Sequence, residues 1–124
     1  MLAEELDEVC DVLGRLPDEE SRASTLDGAP QLVNMQMIEA LAAAVRMAVR
    51  VDVRKALNLA EAALVIARKL GTDEALAFSK RAKANALWPI GECKAAVDLF
   101  NEASELFERS GNMSELGRTL SSSL

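Results

Sequence analysis

The chain has 124 residues, of which half are apolar, and a formal net charge of −6. This length suits one domain, and the apolar content excludes a disordered chain. An acidic surface repels phosphate groups, which argues against nucleic acid and anionic membranes as partners. Ala, Leu, Val and Met supply most of the apolar residues, and aromatic residues make up only 3%. That balance predicts an all-α protein.

An apolar stripe marks the first predicted helix, residues 1–16. Four apolar residues recur at spacings of four, three and four, as on one face of a helix: Leu2, Leu6, Val9 and Leu13. Pro17 helps to end this N-terminal amphipathic helix. Residues 17–30 are rich in Asp, Glu, Ser, Gly and Pro. They are predicted to form a linker, in which a short helical turn can follow Asp18.

The next two predicted helices cover residues 31–50 and 53–70. The first of them is apolar on nearly every side, which predicts cover from several directions. It includes the longest apolar run, but Glu39 and Arg46 interrupt that run, so a buried helix is favoured over a membrane span. Gly71 follows the second of them and is expected to cap its C-terminus.

Three more helices are predicted in the C-terminal half. The first starts after Thr72 or Asp73 as its cap and ends near Trp88, because a proline follows. The second covers residues 92–109 and is ended by a glycine. The third starts at residue 112 or 114 and continues to Leu124. About six helices are therefore expected.

A 40-residue period relates these helices. Gly71 and Gly111 are 40 residues apart. Four further pairs share that separation: Ala56 and Ala96, Leu59 and Leu99, Ala63 and Ala103, Leu76 and Leu116. Such a period in a helical chain indicates a solenoid of two-helix units that bury their apolar faces against neighbours. The alternative is an ordinary helical bundle with chance identities among common residues.

The turn and second helix of the better-matched unit resemble a tetratricopeptide repeat (TPR). The resemblance rests on a Gly-x4-Ala-x3-Phe-x2-Ala spacing, formed by Gly91, Ala96, Phe100 and Ala103. Ala84 stands where that family has a small residue in the first helix. The resemblance implies helical hairpins stacked as a short right-handed superhelix over residues 31–124. The implied units are residues 31–71, 72–111 and a partial unit 112–124.

The long period is similar to longer-helix variants of this family. In particular, residues 81–87 followed by Gly91 resemble repeats that precede caspase-like (CHAT) protease domains in bacterial proteins. Lys80 and Lys83 depart from the pattern, because they stand where apolar residues are usual. The last predicted helix lacks a partner helix, which favours a chain cut from a longer repeat protein over a frayed natural end.

The residues needed for common catalytic sites are missing from the sequence. It contains no His, which removes the commonest general base and most zinc sites. Cys10 and Cys93 show no metal-ligand spacing and are interpreted as partly buried free thiols in a reducing cytoplasm. No phosphate-binding loop or calcium loop is present. We therefore expect no enzyme activity, no catalytic residue, no cofactor and no metal.

The candidate binding residues lie on the fourth predicted helix. In the TPR family the first helices of successive units line a concave groove, and the positions implied here are Phe78, Arg81, Asn85 and Trp88. Aromatic and Arg side chains dominate many interfaces, and some members clamp a C-terminal carboxylate with a cation and an Asn four residues apart. The alternative is that the two aromatics simply pack between helices.

The matching positions on the second predicted helix are interpreted as Ile38, Leu41 and Val45, all apolar. Either the first helix or a second copy of the chain would cover them. The leading hypothesis is a scaffold that binds a peptide or helix of a partner protein in the groove. The alternatives are a regulatory fragment of a larger bacterial signalling or caspase-like protein, and a self-associating structural module such as a homodimer.

Overall fold

The computed structural model describes residues 2–122, with side chains as far as Leu120, and that range is entirely helical apart from turns. The predicted all-α class is confirmed. The α-helices are α1 (Ala3–Gly14), α2 (Glu19–Asp27), α3 (Met35–Ala48), α4 (Val53–Leu70), α5 (Asp73–Leu87), α6 (Cys93–Ser110) and α7 (Met113–Ser122). Short 3-10 helices form at Pro30–Leu32 and Trp88–Ile90. Residues 1, 123 and 124 of the predicted terminal helices lie outside the described range.

Short polar side chains begin most of the helices. In each case the side-chain oxygen accepts a hydrogen bond from the backbone N–H three residues on, which satisfies one donor of the first turn. The capping residues are Asp18, Asn34, Asp52, Thr72 and Asn112. Of the two caps proposed for the fourth predicted helix, the structure therefore selects Thr72.

Two glycines with positive φ end the longest helices. Gly71 closes α4 with φ 70° and Gly111 closes α6 with φ 78°. Residues with a side chain rarely adopt this left-handed conformation, whereas glycine does so readily. The predicted C-cap at Gly71 is confirmed, and the pair fixes equivalent ends for two 18-residue helices.

Each helix from α3 onward packs against the next one, and α3 also packs against α5. The turns between these helices are short, as between antiparallel neighbours. The hairpins α3–α4 and α5–α6 lie within residues 31–71 and 72–111, whose assignment as repeat units stays a prediction, and α7 packs on α6. A helical-repeat arrangement is compatible with this order, and the right-handed superhelix stays a prediction.

The segment predicted as a linker contains a helix, α2, that packs against α4. Leu26 and Arg22 of α2 are buried, at 1% and 6% exposure. The Arg22 guanidinium donates to the backbone carbonyl of Leu16 at 2.9 Å. Sequence patterning misses α2 because the helix is polar on almost every other side, so no apolar stripe marks it.

Helix α1 and the turn that follows it are also fixed to α4. The side-chain amide of Asn58 donates to the Gly14 carbonyl at 3.0 Å, and the Lys55 ammonium lies 2.8 Å from the Asp11 carboxylate. Helix α1 packs against α3 as well. Ile38, Leu41 and Val45 are each 0% exposed. The chain therefore buries these three residues itself, without a second copy.

The lysines that depart from the repeat pattern lie between helices as half-buried ion pairs. The Lys80 ammonium is 2.8 Å from Glu102 on α6, and that of Lys83 is 2.8 Å from Glu61 on α4. Each lysine side chain is mostly buried, and its charge lies beside a carboxylate. Lys80 and Lys83 can therefore stand where the repeat pattern has apolar residues, because each charge is paired with a carboxylate.

Candidate binding cleft

An open cleft of about 800 Å³ lies between three helices that are not consecutive in sequence, α3, α5 and α7. Each contributes three residues to its wall. They are Glu39, Ala42 and Arg46 from α3; Phe78, Arg81 and Asn85 from α5; and Glu115, Gly117 and Arg118 from α7. Its volume falls in the range of known ligand pockets. We call it the arginine cleft, because each of its three helices adds one Arg, exposed on α3 and α7 and buried on α5.

Three of the four sequence-predicted residues, Phe78, Arg81 and Asn85, line this cleft together. Phe78 and Arg81 are only 8% exposed, so both also belong to the packing between helices. Asn85 is half-buried. Trp88 is not part of the wall: it begins the 3-10 helix after α5 and is 49% exposed. The cleft therefore unites one aromatic, one cation and one amide of the predicted set.

The residues of α3 predicted to match the groove positions of α5 are wrong by one position. Glu39, Ala42 and Arg46 face the cleft, instead of Ile38, Leu41 and Val45. Relative to the α5 residues, the shift along the chain is 39 positions and not 40. The cause is the turn, which has four residues before α4 and five before α6. The 40-residue period that relates α4 to α6 is therefore one residue too long for α3 and α5.

A buried arginine holds the floor of the cleft. The Arg81 guanidinium carbon lies 5.0 Å from the ring centre of Phe78 and 5.1 Å from that of Phe107. The two rings meet edge to face at 5.2 Å. A cation over aromatic faces is stabilised by the ring quadrupoles, more strongly where water is excluded. This arrangement fixes the position of the guanidinium.

A glutamate from α7 connects two arginines of the cleft. One carboxylate oxygen of Glu115 lies 2.9 Å from Nη1 of Arg81, and the other accepts a hydrogen bond from Arg118 at 2.7 Å. The same Nη1 of Arg81 donates to the Thr119 hydroxyl at 3.2 Å. The Glu115 side chain is 11% exposed. Glu115 thus acts as an internal counter-ion that attaches α7 to α5.

The remaining polar groups of the cleft have no partner within residues 2–122. Arg46 is exposed and forms no ion pair there, and the Asn85 amide forms no hydrogen bond there. The Nε and Nη2 donors of Arg81 are likewise unused within that range. Three arginines against two glutamates give the wall a formal charge of +1. The cleft therefore offers hydrogen-bond donors to an anion, in a chain whose net charge is negative.

Sequence reasoning missed the contributions of α3 and α7. The signal in α3 is the spacing of three and four residues shared by Glu39, Ala42 and Arg46 and by the α5 set. Finding it requires the turn length, which the sequence shows only once the helix ends are known. In α7, the Glu-x2-Arg pair of Glu115 and Arg118 places two charges on one helical face.

The thiols differ more than the sequence predicts. Cys10 is buried, whereas Cys93, the first residue of α6, is exposed, so the expectation of two partly buried thiols is wrong for Cys93. Burial raises the pKa of the Cys10 thiol from 9.0 to about 11, and the carboxylates of Asp7 and Asp11 add to the effect. A thiol with this pKa is protonated at neutral pH and is a packing group.

In the described part of the chain, no group of three or more His, Cys, Asp and Glu side chains is arranged to hold a metal ion. None of the helices within residues 2–122 combines the length and apolar character needed to cross a bilayer. Comparisons of the chain with protein-family models, with curated proteins and with solved structures gave no match.

Proposed function

We propose that this chain is a protein-binding module that holds a peptide of a partner protein in the arginine cleft, through a carboxylate of that peptide. The observation that carries the proposal is a set of donors on facing helices that no residue within 2–122 uses: the Arg46 guanidinium from α3, and the Asn85 amide and the Nε and Nη2 of Arg81 from α5. Guanidinium groups bind carboxylates through paired, charge-assisted hydrogen bonds. The Asn85 amide can bind the peptide backbone beside them.

The position of the cleft supports a peptide rather than a small molecule. It is open and is lined by three helices, α3, α5 and α7, which suits a segment of a partner chain. Its aromatic floor gives apolar contact near the charged groups, a combination that is common at interface hot spots. The three lining helices are those that the TPR resemblance assigns to a concave groove. The proposal includes a cytoplasmic setting, because the two cysteines are unpaired.

Selection from a displayed library of random peptides with free C-termini tests the proposal. Enriched peptides should be acidic, and the same peptides synthesised with amidated C-termini will separate a terminal carboxylate from an Asp or Glu side chain. The substitutions Arg46→Glu and Asn85→Ala, made together, should weaken binding at least roughly tenfold, because two of the donors are lost. Neither residue supports the fold through a hydrogen bond within residues 2–122.

Arg54→Glu is the matched control, because it makes the same charge change on an exposed residue of α4 that does not line the cleft. It should leave binding within roughly twofold of the unmodified chain. If no peptide is enriched, or if Arg54→Glu weakens binding as much as the cleft variant does, the proposed function is wrong.

A further inference from the structure

A second cleft, of about 480 Å³, lies on the other side of α3, between α1, the end of α3 and the start of α4. Its floor is apolar and includes Cys10, Ala48 and Leu59, while Met47 and Val51 stand at its open side. None of its residues lines the arginine cleft. We call it the N-terminal cleft, and it is independent of the function proposed above.

The apolar residues at the opening are unusually exposed for their size. Val51 is 88% exposed and Met47 is 75% exposed. Single exposed apolar side chains are ordinary on protein surfaces, but two beside an apolar cleft form a continuous patch. Methionine adapts its shape to different partners because its side chain is unbranched and flexible. The patch has the composition of a docking site for apolar side chains.

The wall that α1 contributes is acidic. Five carboxylates are exposed on α1 and no cation is present within it: Glu4, Glu5, Asp7, Glu8 and Asp11. Asp7 lines the cleft and forms no ion pair within residues 2–122. Asp11 is paired with Lys55, whose hydrogen bond lowers the pKa of that carboxyl and keeps it ionised. Residues 2–34 hold nine acidic and two basic residues, whereas residues 35–124 hold eleven and twelve.

The charges of the cleft favour an occupant of one sign. The charged side chains that line the cleft are Asp7, Asp11, Asp52 and Lys55, with a formal charge of −2. The single cation, Lys55, is paired with Asp11, so the exposed carboxylates of α1 dominate the charge beside the patch. Opposite charges would attract a basic occupant along α1.

We infer that the N-terminal cleft docks a basic amphipathic helix of a partner protein, with its apolar side chains on Met47 and Val51 and its cations along α1. A helix that lays one apolar face into a groove between helices is a recurring mode of recognition. Its apolar anchors would supply contact, and the carboxylates of α1 would select a basic partner and orient it.

The test uses the full chain labelled with 15N and two synthetic 16-residue helical peptides of one pattern. One peptide carries Leu on one face and Lys on the other, and the second carries Glu in place of every Lys. The Leu/Lys peptide should shift the amide resonances of Cys10, Met47 and Val51 at concentrations below roughly 1 mM. The Leu/Glu peptide should not, because it meets the carboxylates of α1.

The double variant Met47→Glu, Val51→Glu separates docking from plain charge attraction. It adds two negative charges, so attraction alone would hold the Leu/Lys peptide more tightly. The inference predicts the opposite, a loss of at least roughly tenfold, because the apolar contacts are gone. Met113→Glu is the matched control, an exposed Met on α7 outside both clefts, and it should leave binding unchanged.

Four outcomes would overturn the inference. They are equal binding of both peptides, no shifts up to roughly 1 mM, shifts confined to the arginine cleft, and tighter binding by the double variant. A fifth concerns a second copy of the chain. If the unmodified chain is a dimer that the double variant converts to a monomer, the N-terminal cleft is a self-association surface and the basic partner is wrong.

Discussion

The hairpins α3–α4 and α5–α6 share their repeat positions but differ in what covers them. Leu59 of α4 is 0% exposed, whereas its counterpart Leu99 on α6 is only half-buried. Helices α1 and α2 pack against α4, and no described element plays that part for α6. The outer face of α6 keeps Val97 at 36% exposure. Identical residues in a repeat therefore contribute differently to stability, according to what lies outside them.

The two hairpins also divide the surface of the molecule. Helix α3 has the arginine cleft on one side and the N-terminal cleft on the other, whereas α5 lines only the first. Acidic residues dominate α1 and α2, which cover the first hairpin. The covered hairpin can thus present an acidic, apolar site, while the arginine cleft between the hairpins and α7 offers cations.

The largest expected effect comes from the repeat-related leucines. Leu59→Ala should lower the free energy of unfolding by about 3 kcal/mol, because it leaves a cavity in the core. Leu99→Ala should lower it by about 1 kcal/mol, since part of that side chain already meets solvent. Urea denaturation of both variants measures the difference. Equal losses would break the comparison, because they would mean that α1 and α2 add no cover to α4.

The next effect tests the connection between the second hairpin and α7. Glu115→Ala should cost about 2 kcal/mol, because it leaves the nearly buried Arg81 guanidinium without its carboxylate. Glu61→Ala removes the partner of Lys83, which is 27% exposed, more than Glu115, and is the control, with an expected cost of under about 1 kcal/mol. Thermal unfolding distinguishes the two. A cost for Glu115→Ala no larger than the control would show that α7 is held by apolar contact alone.

A smaller effect tests whether the hairpins end alike. Gly71→Ala and Gly111→Ala should each cost about 1 kcal/mol, because both residues have positive φ. Gly117→Ala on α7 is the control with the opposite sign. Its φ is not positive and an added Cβ meets open space, so it should stabilise the helix by about 0.5–1 kcal/mol. Unequal losses at Gly71 and Gly111 would contradict equivalent helix ends.

The last prediction concerns the chemical reactivity of the two cysteines. At pH 8, one equivalent of a thiol reagent should modify Cys93 and leave Cys10 unmodified. Only a thiolate reacts, and a pKa of about 11 makes the thiolate fraction of Cys10 roughly a hundredfold smaller than that of an ordinary thiol. Mass spectrometry of the digested chain locates the label. Labelling of Cys10 should increase as pH rises toward 11, and faster labelling of Cys10 than Cys93 at pH 8 would contradict its burial.

The sequence predicts the helices well where a cap and an apolar stripe coincide. Helix α4 lies at its predicted bounds, because Asp52 and Gly71 mark both of its ends. The polar helix α2 is hidden, because only Arg22 and Leu26 are buried in it. The site residues on α5 follow from one helix, but Arg46 and Arg118 come from other helices. The register of Arg46 against the α5 residues depends on a turn one residue longer before α6 than before α4, a length that periodicity alone does not reveal.

The most direct test of the central claim is a map of where a selected acidic peptide contacts the chain. An NMR titration of the 15N-labelled full chain with that peptide should shift the amide resonances of Arg46, Asn85 and Gly117, one from each lining helix. Such a pattern would support a peptide-binding groove between α3, α5 and α7. Shifts confined to α1 and α4, or shifts unchanged by Arg46→Glu with Asn85→Ala, would contradict the claim.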